Sequence, residues 1–126
     1  MSRRPLILVA DDSEDIRNLL GMMLKPKYDL RFAANSDQAL AGADTDPLPD
    51  LILLDVDMPT IDGFEVCARL KANPALAEIP VVFVTGHVDP KDQARGLMAG
   101  AVDYITKPIS APITLLRVRK IGRAHV

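Results

Sequence analysis

The sequence predicts a single α/β domain on a parallel sheet, and three observations carry that reading. Five short apolar runs recur along the chain, each followed by a segment with helical spacing. The central run, Leu51–Leu54, is too short for a helix and unbroken by polar alternation, the pattern of a strand buried on both faces. No repeat, low-complexity tract or internal linker interrupts the alternation, so right-handed crossovers can lay every helix against one sheet. At 126 residues the chain suits one core and is too short for two, with the packed part over about 5–121.

The first strand is Leu6–Ala10, ending on Asp11 and Asp12. Ser13 is the expected N-cap of a helix in which Ile16, Leu19, Leu20 and Met23 follow at helical spacing, until Pro26 stops it. Asp29–Ala34 shows the weak alternation of a strand nearer the sheet edge. Asn35 or Ser36 can cap a short helix through about Ala43, and Asp44–Asp50, with Pro47 and Pro49, reads as surface loop. The third strand ends on Asp55, with Asp57 two residues on. Pro59 and Asp62-Gly63 are turn signals before a third helix, roughly Phe64–Ala72, which Asn73-Pro74 ends.

Pro80 opens the fourth strand, Val81–Val84, which ends on Thr85-Gly86. Asp89-Pro90 is a cap followed by proline at the first helical position, and that helix runs to about Ala99, closed by Gly100. Val102–Thr106 forms the fifth strand, ending at Lys107-Pro108. Ser110 and Pro112 start a last helix toward Ile121, and residues 122–126 are expected to fray.

Composition narrows the class. A 48% hydrophobic and 25% charged share is that of an ordinary globular chain, and the net charge of −2 gives no general pull toward nucleic acid. Basic residues gather mildly near Arg117–Arg123, as on a solvated helix face. The lone Cys67 rules out an internal disulfide framework, suits a reducing cytoplasm and reads as a small packing residue. Leu6–Ala10 is too short for a signal peptide or a membrane span. Met22, Met23, Met58 and Met98 read as packing residues, and His87 and His125 as isolated surface residues.

Strands in right-handed βα units end on one sheet edge, where open α/β folds place their ligands. There the sequence brings Asp11 and Asp12, Asp55, Thr85 and Lys107 together. Three carboxylates so close repel, and one would hold a proton unless a cation intervened. Oxygen-only ligands with open positions favour Mg²⁺ over Ca²⁺. A carboxylate, a hard cation, a lysine and a hydroxyl can together hold a phosphoryl group.

Over residues 5–121 the chain resembles the receiver domain of two-component response regulators. The likeness rests on Asp11-Asp12, Asp55 with Met58-Pro59 and Asp62-Gly63, Thr85-Gly86, Lys107-Pro108, and Tyr104 three residues before the lysine. It implies a flavodoxin-like (βα)5 fold with strand order 2-1-3-4-5. It implies that Asp55 takes phosphate from a phosphohistidine donor, a sensor histidine kinase or phosphotransfer protein. Asp12 and Asp55 would ligate Mg²⁺ with the backbone carbonyl of Asp57, and Asp11 would act mostly through water. Lys107, Thr85 and the Gly86 N–H would contact the phosphoryl oxygens. The resemblance further implies a cis Lys107-Pro108 bond, tuning of acyl-phosphate lifetime by Asp57 and His87, and a switch in which Thr85 moves and Tyr104 fills the space. The responding face would join helix four, strand five and helix five, with Ile105, Asp103, Arg117 and Arg119, and serve a homodimer or a C-terminal output domain. The run GAVDYITKPIS is similar to receivers that precede cyclic-dinucleotide enzymes or sit in hybrid kinases. A signalling domain rather than an enzyme is implied, cytoplasmic, with no direct nucleic-acid or membrane partner.

Three rival readings compete with this one. A haloacid-dehalogenase-type phosphatase also has an apolar strand followed by Asp-x-Asp, matched by Asp55-Val56-Asp57, but it normally has Thr or Val where this chain has Pro59 and needs more chain. A flavin carrier would need a hydroxyl- and Gly-rich phosphate loop, where Asp11–Asp15 would repel phosphate. A degenerate receiver acting only as an interaction module sits poorly with a complete set of site residues.

Overall fold

The computed structural model describes residues 4–87 and 89–124. The expectation for His125 lies outside the described residues. Five strands and five helices alternate: β1 (Leu6–Ala10), α1 (Glu14–Leu24), β2 (Asp29–Ala33), α2 (Ser36–Ala43), β3 (Leu51–Leu54), α3 (Gly63–Ala72), β4 (Val81–Thr85), α4 (Pro90–Met98), β5 (Asp103–Thr106) and α5 (Ala111–Ala124). All strand pairs are parallel, in the order β2-β1-β3-β4-β5. This is the flavodoxin-like order the family resemblance implied.

Burial follows position in the sheet. Every residue of β1, β3 and β4 is buried, whereas β2 and β5 at the edges are only partly so. Side chains alternate between two apolar layers. Leu8, Ala10, Ile52, Leu54, Val81 and Phe83 face the layer that holds Phe64, Val66 and Leu70 of α3. Ile7, Val9, Leu51, Leu53, Val82, Val84 and Ile105 face the other, with Leu20 and Leu24 of α1 and Val118 and Ile121 of α5. Each fully buried aliphatic side chain contributes roughly 1.5–3 kcal/mol, so the central strands are held in register from both sides.

Helix starts are fixed by side-chain caps, each worth about 1 kcal/mol. Ser13 accepts from the Ile16 N–H, Asn35 from Gln38, Asp62 from Glu65 and Asp89 from Asp92. Of the two candidates for α2, Asn35 is the cap and Ser36 is the first helical residue. Gly63 is likewise the first residue of α3 and not part of a turn before it. At the end of α4, Gly100 takes φ +106, a conformation glycine reaches without a Cβ penalty. Helix α5 extends to Ala124, and residues 125–126 of the tail expected to fray lie outside the described residues.

Several surface assignments need correction. Met58 is buried and Met23 half-buried, but Met22 and Met98 are exposed, at 69% and 89%, and pack little. Ile105 is buried against α5 and offers no surface. Arg119 lines a groove with Met23 and Tyr28 between α1 and α5, away from α4. Arg117 is not simply solvated, since it donates to Asp103 Oδ1 at 2.8 Å and to the Tyr104 carbonyl at 2.9 Å.

Among the helices, α4 has the fewest buried residues. Gly96 is its one buried residue among those described. A Cβ there would lie 2.7 Å from Tyr104 Cζ and 3.1 Å from Phe83. The Tyr104 hydroxyl donates to the α4 carbonyl of Asp92 at 2.8 Å, and Arg95 lies 4.5 Å over the Phe64 ring. Phe64, Phe83 and Tyr104 form a continuous row of rings, the first pair edge-to-face and the second tilted.

Candidate functional site

The C-terminal ends of the parallel strands meet at one edge, and the expected residues converge there. Asp11 follows β1 and is 1% exposed, Asp55 follows β3 and is 2% exposed, and Asp12 reaches the same cluster from solvent. One carboxylate oxygen from each lies within 4.8 Å of the others. The backbone sets this spacing: the Asp55 N–H donates to the Ala10 carbonyl at 2.8 Å, and the Asp11 N–H to Ala33 at 3.0 Å.

Lys107, just past β5, enters the cluster from the side. Its Nζ stands 3.1 Å from Asp11 Oδ2 and 3.5 Å from Asp55 Oδ1. The Lys107 N–H donates to the Thr85 carbonyl at 2.9 Å, and the Lys107-Pro108 bond is cis, as is Asp46-Pro47. Burial opposes the ammonium charge, but Asp55 and Asp11 outweigh it and raise the Lys107 pKa above its usual value.

One ammonium does not balance three carboxylates. Burial, together with the charge of Asp11, pushes the Asp55 pKa up to about 7, against the pull of Lys107 and a hydrogen bond from the Asp57 N–H at 3.2 Å. This excess of negative charge, on oxygen donors with Asp12 open to solvent, fits a hard divalent cation.

Thr85 ends β4, fully buried, and its Oγ1 accepts from the His87 N–H at 3.0 Å. Beside it, Gly86 faces open space: a Cβ there would meet nothing within 4 Å. Tyr104 lies away from the carboxylates, under α4, and takes no part in the cluster itself.

Two participants, Gly63 and Ser36, are not legible in the sequence as parts of the site, and a third, His87, is placed there only by the family resemblance. His87 is at the surface as expected, yet it is not isolated. Its Nε2 lies 2.7 Å from Asp57 Oδ2, and this hydrogen bond raises the imidazole pKa above its usual value. The pair spans the mouth of the cluster from the loop after β4 to the loop after β3. Gly63 packs its Cα onto the end of β3, where a Cβ would stand 2.8 Å from Val56 Cα and 2.9 Å from the Asp55 carbonyl carbon. Ser36, fully buried, sends its hydroxyl from α2 into the loop after Asp55, against the carbonyls of Pro59 and Ile61. The only sequence signals are two +2 spacings, one Asp-Gly pair and one serine near a helix start.

Comparison with known proteins agrees with this geometry. The family model described as the response regulator receiver domain matches residues 7–119. The response regulator PleD of Caulobacter vibrioides is 44% identical over 118 residues, covering 93% of this chain and 26% of that protein. A "Probable cyclic di-GMP phosphodiesterase" of Vibrio cholerae is 40% identical, covering 89% of this chain and 25% of that protein. The chain thus spans about a quarter of the length of these curated relatives. Among solved structures, a response regulator from Chloroflexus aurantiacus superposes with a TM-score of 0.90 at 30% identity, covering 96% of this chain and 99% of that one. The signal receiver domain of a histidine kinase from Syntrophus aciditrophicus gives 0.85 at 34% identity, covering 95% and 91%.

Proposed function

The chain belongs to the response regulator receiver domain family, and from that premise we propose that it takes a phosphoryl group from a phosphohistidine donor onto Asp55. The convergence of Asp11, Asp12 and Asp55 within 4.8 Å, with Lys107 against two of them, carries this reading. An Asp55 carboxylate oxygen forms the new P–O bond while the donor's P–N bond breaks. The electron pair of that bond returns to the donor imidazole. Lys107, the Thr85 hydroxyl and the Gly86 N–H hold the phosphoryl oxygens, so the protein's work is positioning and charge neutralisation. Asp12 and Asp55, with the Asp57 backbone carbonyl, would hold Mg²⁺, and Asp11 would act through water; the bound ion supplies neutralisation of the phosphoryl charge. His87 and Asp57, bridged across the mouth, would limit water's approach and so set the lifetime of the acyl phosphate.

With acetyl phosphate and Mg²⁺, peptide mapping should locate an acid-stable, base-labile phosphate on Asp55. Phosphate on Ser13, Thr85 or a histidine instead would refute the assignment. Millimolar Mg²⁺ alone should shift the amide signals around Asp11, Asp12 and Asp55, and Asp12→Ala should largely remove that response. An unchanged wild-type spectrum would sink the metal site.

We read residues 1–126 as one receiver unit, a cytoplasmic signalling domain rather than an enzyme with a substrate to turn over. The donor chemistry and the free, buried Cys67 support that placement, and no described helix is long and apolar enough to cross a membrane. The partners are a sensor histidine kinase or phosphotransfer protein and, on the output side, a second receiver or an output domain. The face formed by α4, β5 and α5 responds to phosphorylation. Leu97, Met98, Val102 and Ile113 provide its exposed apolar surface, and the Asp103–Arg117 pair its charge. A phosphoryl group brings roughly 1.5–2 negative charges, which draw Thr85 toward Asp55 and disturb the Tyr104 anchorage of α4. A beryllofluoride mimic should change hydrogen exchange in α4 and β5 and raise the sedimentation coefficient if a dimer forms. Thr85→Ala should keep phosphorylation and lose both responses, whereas equal exchange in the two states would rule the route out.

A further inference from the structure

Ser36 lies outside the strand-end cluster, on the first turn of α2, and is 0% exposed. A buried serine hydroxyl at a helix start ordinarily caps its own helix, but Asn35 already fills that role. The Ser36 hydroxyl points instead across 23 to 25 residues of sequence, with its Oγ 3.0 Å from the Pro59 carbonyl and 2.5 Å from that of Ile61. With one proton to give, it is shared between the two carbonyls. These flank Thr60, whose φ of 79 is unusual for any residue but glycine and more so for a β-branched one. The Ile61 N–H closes the same three-residue turn by donating to Pro59 at 3.1 Å. Such a turn persists where its surroundings over-determine it.

The same loop begins at the site. Asp57, three residues before Thr60, donates its N–H to Asp55 Oδ1 at 3.2 Å, and the buried Val56 and Met58 fix the chain on either side of Asp57. The Met58 and Gly63 N–H groups both return to the Val56 carbonyl, at 3.2 and 2.8 Å. The loop is therefore tied at its near end to β3 and at its bend to α2.

We propose that Ser36 is a positioning residue for the phosphoacceptor loop. Its hydroxyl holds the strained Pro59–Thr60–Ile61 bend, and through that bend it fixes Asp57, whose N–H orients the Asp55 carboxylate and whose carbonyl, on the functional reading above, would be a ligand of the cation. The proposal rests on the functional reading above, because it assigns Ser36 its effect through the Asp57 carbonyl and the Asp55 carboxylate.

The test is Mg²⁺ titration followed by amide NMR, with thermal melting in parallel. Ser36→Ala should raise the Mg²⁺ half-saturation roughly 10-fold, the low end of the scale of lost outer-shell support, and move the Asp57 amide signal before any metal is added. Ser36→Cys, close in size but a weaker donor, should give a smaller rise, and it carries the test if the alanine variant does not fold. Adding Thr60→Gly to Ser36→Ala should recover much of the affinity, because glycine adopts the bend without the pin. A lower melting temperature with wild-type half-saturation and an unmoved Asp57 amide in Ser36→Ala and Ser36→Cys would make Ser36 merely structural and overturn the proposal. If the wild type itself shows no Mg²⁺ response, the metal reading fails first and this one with it.

Discussion

Replacing Asp55 with asparagine should leave the protein unable to accept a phosphoryl group and, without metal at neutral pH, more stable than the wild type. The first effect is absolute, because the amide offers no nucleophilic oxygen of comparable charge, and incorporation from acetyl phosphate should fall to background. The second follows from the Asp55 carboxyl, pushed up to about 7 by burial and by Asp11. Its ordinary value is 3.8. Between those values the folded protein holds a proton that the unfolded chain has released, so stability falls as pH rises through the window. A shift of this size sets a ceiling of about 4 kcal/mol, and Lys107 and the nearby solvent should reduce the realised gain to about 1–2 kcal/mol. The asparagine of the Asp55→Asn variant never charges, and Lys107 keeps Asp11 at 3.1 Å. Urea unfolding in a chelator should show the variant ahead at pH 8 and level with wild type near pH 4, with Mg²⁺ closing the gap from the wild-type side. A variant less stable than wild type at pH 8, or one still phosphorylated, would contradict the account.

Gly63→Ala should do the most damage for a single methyl group. The added carbon would stand 2.8 Å from Val56 Cα and in hard contact with the Asp55 backbone, and none of these atoms belongs to a flexible side chain. The start of α3 must therefore lift off the end of β3. That breaks the 2.8 Å bond from the Gly63 N–H to the Val56 carbonyl and drags the loop carrying Asp57 with it. A cost of about 3 kcal/mol or more is expected, at the upper end of overpacking effects. Phosphorylation at Asp55 should fall with it, even below the melting temperature. Gly86→Ala is the matching control for stability, since nothing lies within 4 Å of its added carbon. Its unfolding free energy should stay within about 0.5 kcal/mol of wild type. Equal stability of the two variants would show that α3 can shift freely, contrary to the packing described.

The contrast between these glycines marks the limit of what the sequence reveals. Five apolar runs, the caps Ser13, Asn35 and Asp89 and Pro90 at the head of α4 announce the elements, because each is a local pattern written in adjacent residues. The convergence of Asp11, Asp12, Asp55, Thr85 and Lys107 follows from topology alone, since parallel strands end on one edge. What stays hidden is long-range and carried by unremarkable residue types. Asp62-Gly63 reads as a turn, although Gly63 is needed for close approach to β3. Ser36 reads as an alternative cap, although its hydroxyl serves a loop 23 residues away. The His87–Asp57 bridge joins positions 30 apart that no periodicity connects. The sequence misplaces Arg119 and Ile105 because a helix or strand residue's facing depends on which neighbour arrives beside it.

Cys67 gives the chain a probe of its own. The thiol is fully buried on α3, donates to the Ala99 carbonyl at 3.4 Å just past α4, and burial pushes its pKa up to about 11. A native molecule should therefore resist alkylation, and each modified molecule records an excursion in which the α4 end parted from α3. Because Cys67 is the only cysteine, the alkylation rate of the unaltered protein clocks that parting directly. Comparing the rate with and without a phosphoryl mimic would time the loosening of α4 without adding a label or changing a residue.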